Sequence, residues 1–175
     1  MRVRSRAAVS MAVAILLSLS LALPASANWV IEYRGETSAP SFNRVKAYVN
    51  KQDNGRRILQ YLSIQSIVTC EDATTSKIQV SLRVGQLAED GSFSKELNIQ
   101  DGRYYIRMDG TIGFRHGTGT WVFNTTKLTQ DSSDAQLCTT GEQTWTVERI
   151  PRTQSTLSAK DIPEVGDLKV RVFGR

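Results

Sequence analysis

The sequence predicts an all-β domain, an antiparallel β-sandwich of about eight to ten strands, with a closed antiparallel β-barrel as the alternative. Three observations lead there: apolar and polar residues alternate with period two along most of the chain, glycine-containing turn signals separate the alternating runs, and no amphipathic helix pattern follows Asn28.

The first element is a signal-peptide helix. Arg2, Arg4 and Arg6 form a positive start, Met11 to Leu23 is an unbroken weakly polar to apolar run, and Pro24 leads into Ala25-Ser26-Ala27. This is the pattern of a cleavable secretory signal over residues 1–27, cut between Ala27 and Asn28. A spanning helix wants about 20 predominantly apolar residues, and Pro24 interrupts the run first. The arginines are not adjacent, which favours the general secretory route over the twin-arginine one. No cysteine follows the apolar run to take a lipid. The expected product is secreted and extracellular, with the periplasm as the alternative, and keeps no stable membrane anchor after cleavage.

Loss of that segment changes the charge. The chain has 22 Lys and Arg against 17 Asp and Glu, and removing three arginines leaves 19 against 17, about +2. Such a balance predicts no nucleic-acid partner. Arg56-Arg57 reads as a solvated pair beside a turn. Cys70 and Cys138 are the only cysteines, and an exported chain with two cysteines has one intramolecular connectivity. A bridge between them is predicted to contribute on the order of 4 kcal/mol by shortening the unfolded chain. Residues 28–150 are read as one secreted β domain, and 151–175 as a C-terminal extension with a candidate edge strand.

Along that domain, Val45, Ala47 and Val49 alternate with Lys46 and Tyr48, and Ile78, Val80, Leu82 and Val84 with Gln79, Ser81 and Arg83. Tyr104, Ile106 and Met108 oppose Arg103, Tyr105 and Arg107; Trp145 and Val147 oppose Thr144, Thr146 and Glu148. Each set suits a strand with one buried face. The run from Ile58 to Val68 predicts a bend or bulge, because Ile67-Val68 falls out of step with Leu62 and Ile64. Asp53-Asn54-Gly55, Glu89-Asp90-Gly91, Asp101-Gly102 and Asp109-Gly110 are the predicted turns. Leu168 to Phe173 alternates again and reads as an edge strand or an extension.

Several motifs then form an ordered set: Gly35-Glu36-Thr37-Ser38, Cys70-Glu71-Asp72, Asp90-Gly91-Ser92-Phe93, and Gly110-Thr111-Ile112-Gly113-Phe114. His116-Gly117-Thr118-Gly119-Thr120-Trp121 and the stretch Cys138-Thr139-Thr140-Gly141 leading to Trp145-Thr146 complete it. Over residues 28–150 this resembles a group of small secreted β-domain proteins common in actinobacteria. The resemblance implies an all-β secreted domain with the two cysteines as its paired positions, and brings no catalytic residues with it. The stretch Thr118-Gly119-Thr120-Trp121-Val122 is bulkier than the small residues that pattern expects after its glycine, and the segment beyond Ile150 has no counterpart.

The sequence names no catalytic group. One histidine, His116, and two cysteines committed to a bridge leave no transition-metal set, so no metal and no cofactor are predicted. His116-Gly117-Thr118-Gly119 does not continue as a phosphate loop and reads as a hairpin turn. Glu89, Asp90, Glu96, Asp101 and Asp109 could supply a hydrolytic carboxylate pair, but most stand beside turns, where Asp bonds backbone. Asp131 and Asp134 lack the pattern of a calcium loop. Trp29, Trp121 and Trp145 are assigned to the core. Tyr48 and Tyr105, each opposite an apolar face and beside Lys46, Arg103 or Arg107, form with Arg103 and Arg107 the candidate surface for an extracellular glycan or protein partner. A non-catalytic extracellular module is therefore the leading expectation, and a small secreted hydrolase the alternative.

Overall fold

Eleven strands and no helix make up the described residues of the computed structural model, which are 29–100, 102–126, 136–151 and 162–173. The signal-peptide helix, its cleavage point at Ala27 and Asn28, Asp101, and the acids Asp131 and Asp134 lie outside them. The strands are β1 (Trp29–Thr37), β2 (Arg44–Lys51), β3 (Arg57–Cys70), β4 (Thr75–Leu82), β5 (Gly85–Gln86), β6 (Ser92–Ile99), β7 (Tyr104–Ile112), β8 (His116–Thr125), β9 (Cys138–Thr139), β10 (Gln143–Arg149) and β11 (Leu168–Phe173).

Every pairing is antiparallel, in the order β11-β4-β3-β2-β1-β10-β8-β7-β6. Closure comes from strand length. β3 has 14 residues, and β2 covers it only from Arg57 to Ile64; β10 covers β8 only from His116 to Trp121. The uncovered ends, Thr69-Cys70 and Asn124-Thr125, are taken by the two residues of β9. The ring β3-β2-β1-β10-β8-β9 is thus a closed six-stranded barrel, with β4 and β11 continuing beyond β3 and β7 and β6 beyond β8. This matches the alternative barrel better than the sandwich. Alternation fixes which side chains face inward, and it is silent on which strand ends remain free to close a ring.

At the closing rung Cys70 stands directly opposite Cys138, and the two form the disulfide, joining positions 68 residues apart. The core fills the interior with Leu59, Leu62 and Ile64 of β3, Ile78, Val80 and Leu82 of β4, Ile106, Met108 and Ile112 of β7, and Trp121, Phe123 and Trp145. Trp29 departs from the expected aromatic core: it is 52% exposed. The break in β3 sits earlier than its sequence suggests. Tyr48 faces Tyr61 while Val49 faces Leu59, so Gln60 is the extra residue, and Leu62, Ile64 and Val68 all remain inside.

Two motifs read as turns are strand. Asp109-Gly110 lies within β7 and His116 to Gly119 opens β8; the hairpin between them turns at residues 113–115. The glycines are there for packing. Phe93, Gly110, Gly119 and Trp145 form one row across β6, β7, β8 and β10, and the Phe93 and Trp145 rings stack over the two glycines, 6.0 Å apart. A Cβ on Gly110 would strike the Trp145 ring, and one on Gly119 would strike both that ring and the Gly110 backbone. β11 adds to β4 as an edge strand, Leu168 opposite Leu82 through Phe173 opposite Lys77.

Gly119→Ala should lower the unfolding free energy by about 1–3 kcal/mol through overpacking, read by urea denaturation. Gly166→Ala, with open space around its Cβ position, should stay within about 0.5 kcal/mol. Replacing Cys70 and Cys138 together by alanine should cost about 2–5 kcal/mol, measured the same way.

Candidate functional site

Inward-facing residues of β1 to β4 are mostly apolar, with Ser66 bonded to Gln143, and their outward neighbours build the candidate site. Directly opposed residues share a face, so Arg34, Lys46, Ser63, Ser81 and Lys169 form one row across β1, β2, β3, β4 and β11. The adjacent positions along these strands carry Arg44, Gln65, Gln79 and Arg171, with Gln65 opposite Gln79 and Gln79 opposite Arg171. Lys77, opposite Phe173, extends the face.

Beneath these groups the outward face is unusually buried. Glu32 is 2% exposed, Tyr48 2%, and Tyr61, Ser63 and Ser81 are also buried. Burial of so much polar surface requires mutual bonding. Arg34 Nε donates to Glu32 Oε1 at 2.6 Å, and Lys46 Nζ stands 3.5 Å from the same oxygen. Lys46 also lies 5.1 Å from the centre of the Tyr48 ring, which packs on Tyr61 at 5.5 Å. Gln79 donates to Ser63 Oγ at 2.8 Å, and Ser81 and Ser63 bond at 3.1 Å. Burial works against the charge on Lys46, but Tyr48 and Glu32 outweigh it and raise its pKa. The Glu32 hydrogen bond likewise raises that of Arg34. Both cations are therefore held in place while charged.

Above this layer is a hollow of about 400 Å3, lined by Arg34, Arg44, Lys46, Gln65, Gln79 and the backbone-rich positions Gly35 and Val45. Its donors are guanidinium, ammonium and amide groups, suited to oxyanions and hydroxyls. Among the described residues no three His, Cys, Asp or Glu side chains gather to hold a metal ion.

Of the four residues expected to form a binding surface, Arg103, Tyr105 and Arg107 follow one another on one face, and Tyr48 does not join them. Tyr48 is on β2, while Tyr105 and Arg107 are on β7 and Arg103 precedes it, with β1, β10 and β8 between. Tyr48 is buried instead of exposed, because Lys46 and Tyr61 cover its ring. Arg103 lies over Tyr104, 5.3 Å away, and Arg107 bonds Asp109 at 2.9 Å. Asp109 and Asp90 are dispersed too: the Ser94 hydroxyl, then Arg107, lowers the pKa of Asp109, and the Ser92 backbone N–H lowers that of Asp90. Both are thereby tuned opposite to a general acid for neutral pH. His116 is exposed, opposite Glu148 at the start of β8.

Arg57 differs from the solvated reading of its pair. Its guanidinium donates to the carbonyls of Ile112 at 3.0 Å and Glu89 at 2.9 Å, joining β3 to the β6 entry and the end of β7. No family model matches this chain, and neither curated proteins nor solved structures include a significant match to it.

Arg57→Ala should destabilise the fold by about 2 kcal/mol, as expected for hydrogen bonds from a charged donor. Arg56→Ala should change it by less than about 0.5 kcal/mol; paired thermal and urea melts distinguish them.

Proposed function

We propose that this chain is an exported, non-catalytic β-barrel module that binds an extracellular cell-envelope or glycan partner in the hollow over β1 to β4. The observation that carries this reading is the hollow itself: cationic and amide donors stand on a rigid sheet, with a buried Glu32 holding two of them. Sites built on strands keep their geometry better than sites on loops. Export is supported by the signal pattern in residues 1–27 and is compatible with the Cys70–Cys138 disulfide. The resemblance to secreted β-domain proteins points the same way. The hydrolase alternative is less favoured, since Asp90 bonds a turn and Asp109 pairs with Arg107, each on its own strand connection or face.

Two measurements test this. N-terminal sequencing of the exported protein should begin at Asn28, and a product beginning at Met1 overturns the export reading. The purified protein should cosediment with envelope fragments and release no soluble sugar from them. Arg34→Ala with Arg44→Ala should reduce cosedimentation at least about tenfold, which corresponds to about 1.4 kcal/mol; unchanged sedimentation sinks the assignment of this hollow.

A further inference from the structure

Resting on that reading, we infer that the partner is an acidic polysaccharide, a carbohydrate polymer bearing carboxylate or phosphate groups, laid across β1 to β11, and that Glu32 is a positioning residue for it.

The net charge of about +2 hides a strong asymmetry. Arg34, Arg44 and Lys46 stand at one flank of the outward face, and Lys77, Lys169 and Arg171 at the other. The outward positions of these five strands carry two carboxylates, Glu32 and Glu36. Glu32 is buried under its own ion pairs, so it presents little charge to a ligand. The flanks lie two to four strand steps apart, from Lys46 on β2 and Lys77 on β4 to Arg34 on β1 and Lys169 on β11, about 10 to 19 Å at the usual strand spacing. Gln65 and Gln79 lie between. A small anion would use one flank alone; a polymer with repeated charges can reach both, with hydroxyls over the amides.

Glu32 makes this more than a charged surface. Arg34 uses Nε on Glu32, which orients the guanidinium and leaves its terminal N–H groups as a fork for an oxyanion. Lys46 is drawn to the same carboxylate from the next strand. Removing the carboxylate raises the positive charge but releases both donors. Charge alone and positioned donors therefore predict opposite signs for Glu32→Gln.

The test is titration calorimetry of the full exported protein with four probes: polygalacturonate, a phosphomannan, neutral dextran and a 20-nucleotide single-stranded DNA. Salt-sensitive binding is expected to the first, the second or both, and which of them binds identifies the anionic group. Arg34→Ala with Arg44→Ala should weaken it at least tenfold. Lys169→Ala with Arg171→Ala should weaken it and lessen its salt dependence. Glu32→Gln should weaken it threefold or more. Circular dichroism verifies folding; if Glu32→Gln does not fold, Arg34→Lys, which keeps charge and loses the fork, should show the same weakening.

Tighter binding by Glu32→Gln, or unchanged binding by Arg34→Lys, overturns the positioning role. DNA bound as tightly as the polysaccharides makes the face a general polyanion surface and overturns the partner assignment. Dextran bound independently of the cations, or no probe bound while envelope fragments still cosediment, refutes the acidic-polysaccharide inference and leaves the broader binding function standing. Failure of both experiments removes both.

Discussion

The barrel depends on one short rung. Thr69 and Cys70 pair with Thr139 and Cys138, and the same two residues of β9 pair with Asn124 and Thr125 on the other side. Two residues make few ladder hydrogen bonds, so backbone pairing alone would hold this closure weakly. The disulfide makes it covalent. At the opposite end, Arg57 ties β3 to the carbonyls of Ile112 and Glu89, and Tyr33 donates to the Gly113 carbonyl at 2.9 Å. The ring is thus fastened at one end by a covalent bond and at the other by polar contacts, while the core between them is apolar.

A rigid ring gives its outward side chains fixed separations. The face of β1 to β4 uses this to bury a carboxylate, two tyrosines and two serines outside the apolar core. Glu32 is met by Arg34 along its own strand and by Lys46 from the next, and Ser63 is bonded from strand to strand by Gln79 and Ser81. The opposite meander of β6 to β8 has a different surface chemistry, with Arg107 spent on Asp109. The sheet thereby gathers cations over β1 to β4 and carries an Arg107–Asp109 pair on β7.

Much of the inner face was legible in the sequence. Val45, Ala47 and Val49, and Ile106 and Met108, lie inside as alternation requires. The cysteine pair was legible from its even count and from the export pattern read in residues 1–27. Gly110 and Gly119 were misread because a glycine next to Asp or His signals a turn locally, whereas here it makes room for a ring contributed by a distant strand. Phe93, Gly110, Gly119 and Trp145, drawn from four separate sequence motifs, meet in that row across four strands. The candidate site was hidden for the same reason. Arg34, Lys46 and Lys169 are ordinary strand charges until strand order sets them side by side, and Tyr48 looks exposed until Lys46 and Tyr61 are seen to cover it.

Strand order also dictates a sequence of assembly. β1 to β4 are successive neighbours, as are β6 to β8, so each group can zip up from hairpins. The strands that join the two groups, β9 and β10, come after both in the chain, and β1 finds its second partner only when residues 145–149 arrive. Until then the two meanders carry open edges and half-covered apolar faces, the surfaces on which incomplete β proteins aggregate. For a chain emerging from its N-terminus, both meanders are complete only after Thr125, and they stay unsealed until β10 follows at Gln143–Arg149, so the hazardous interval is the stretch between those two arrivals.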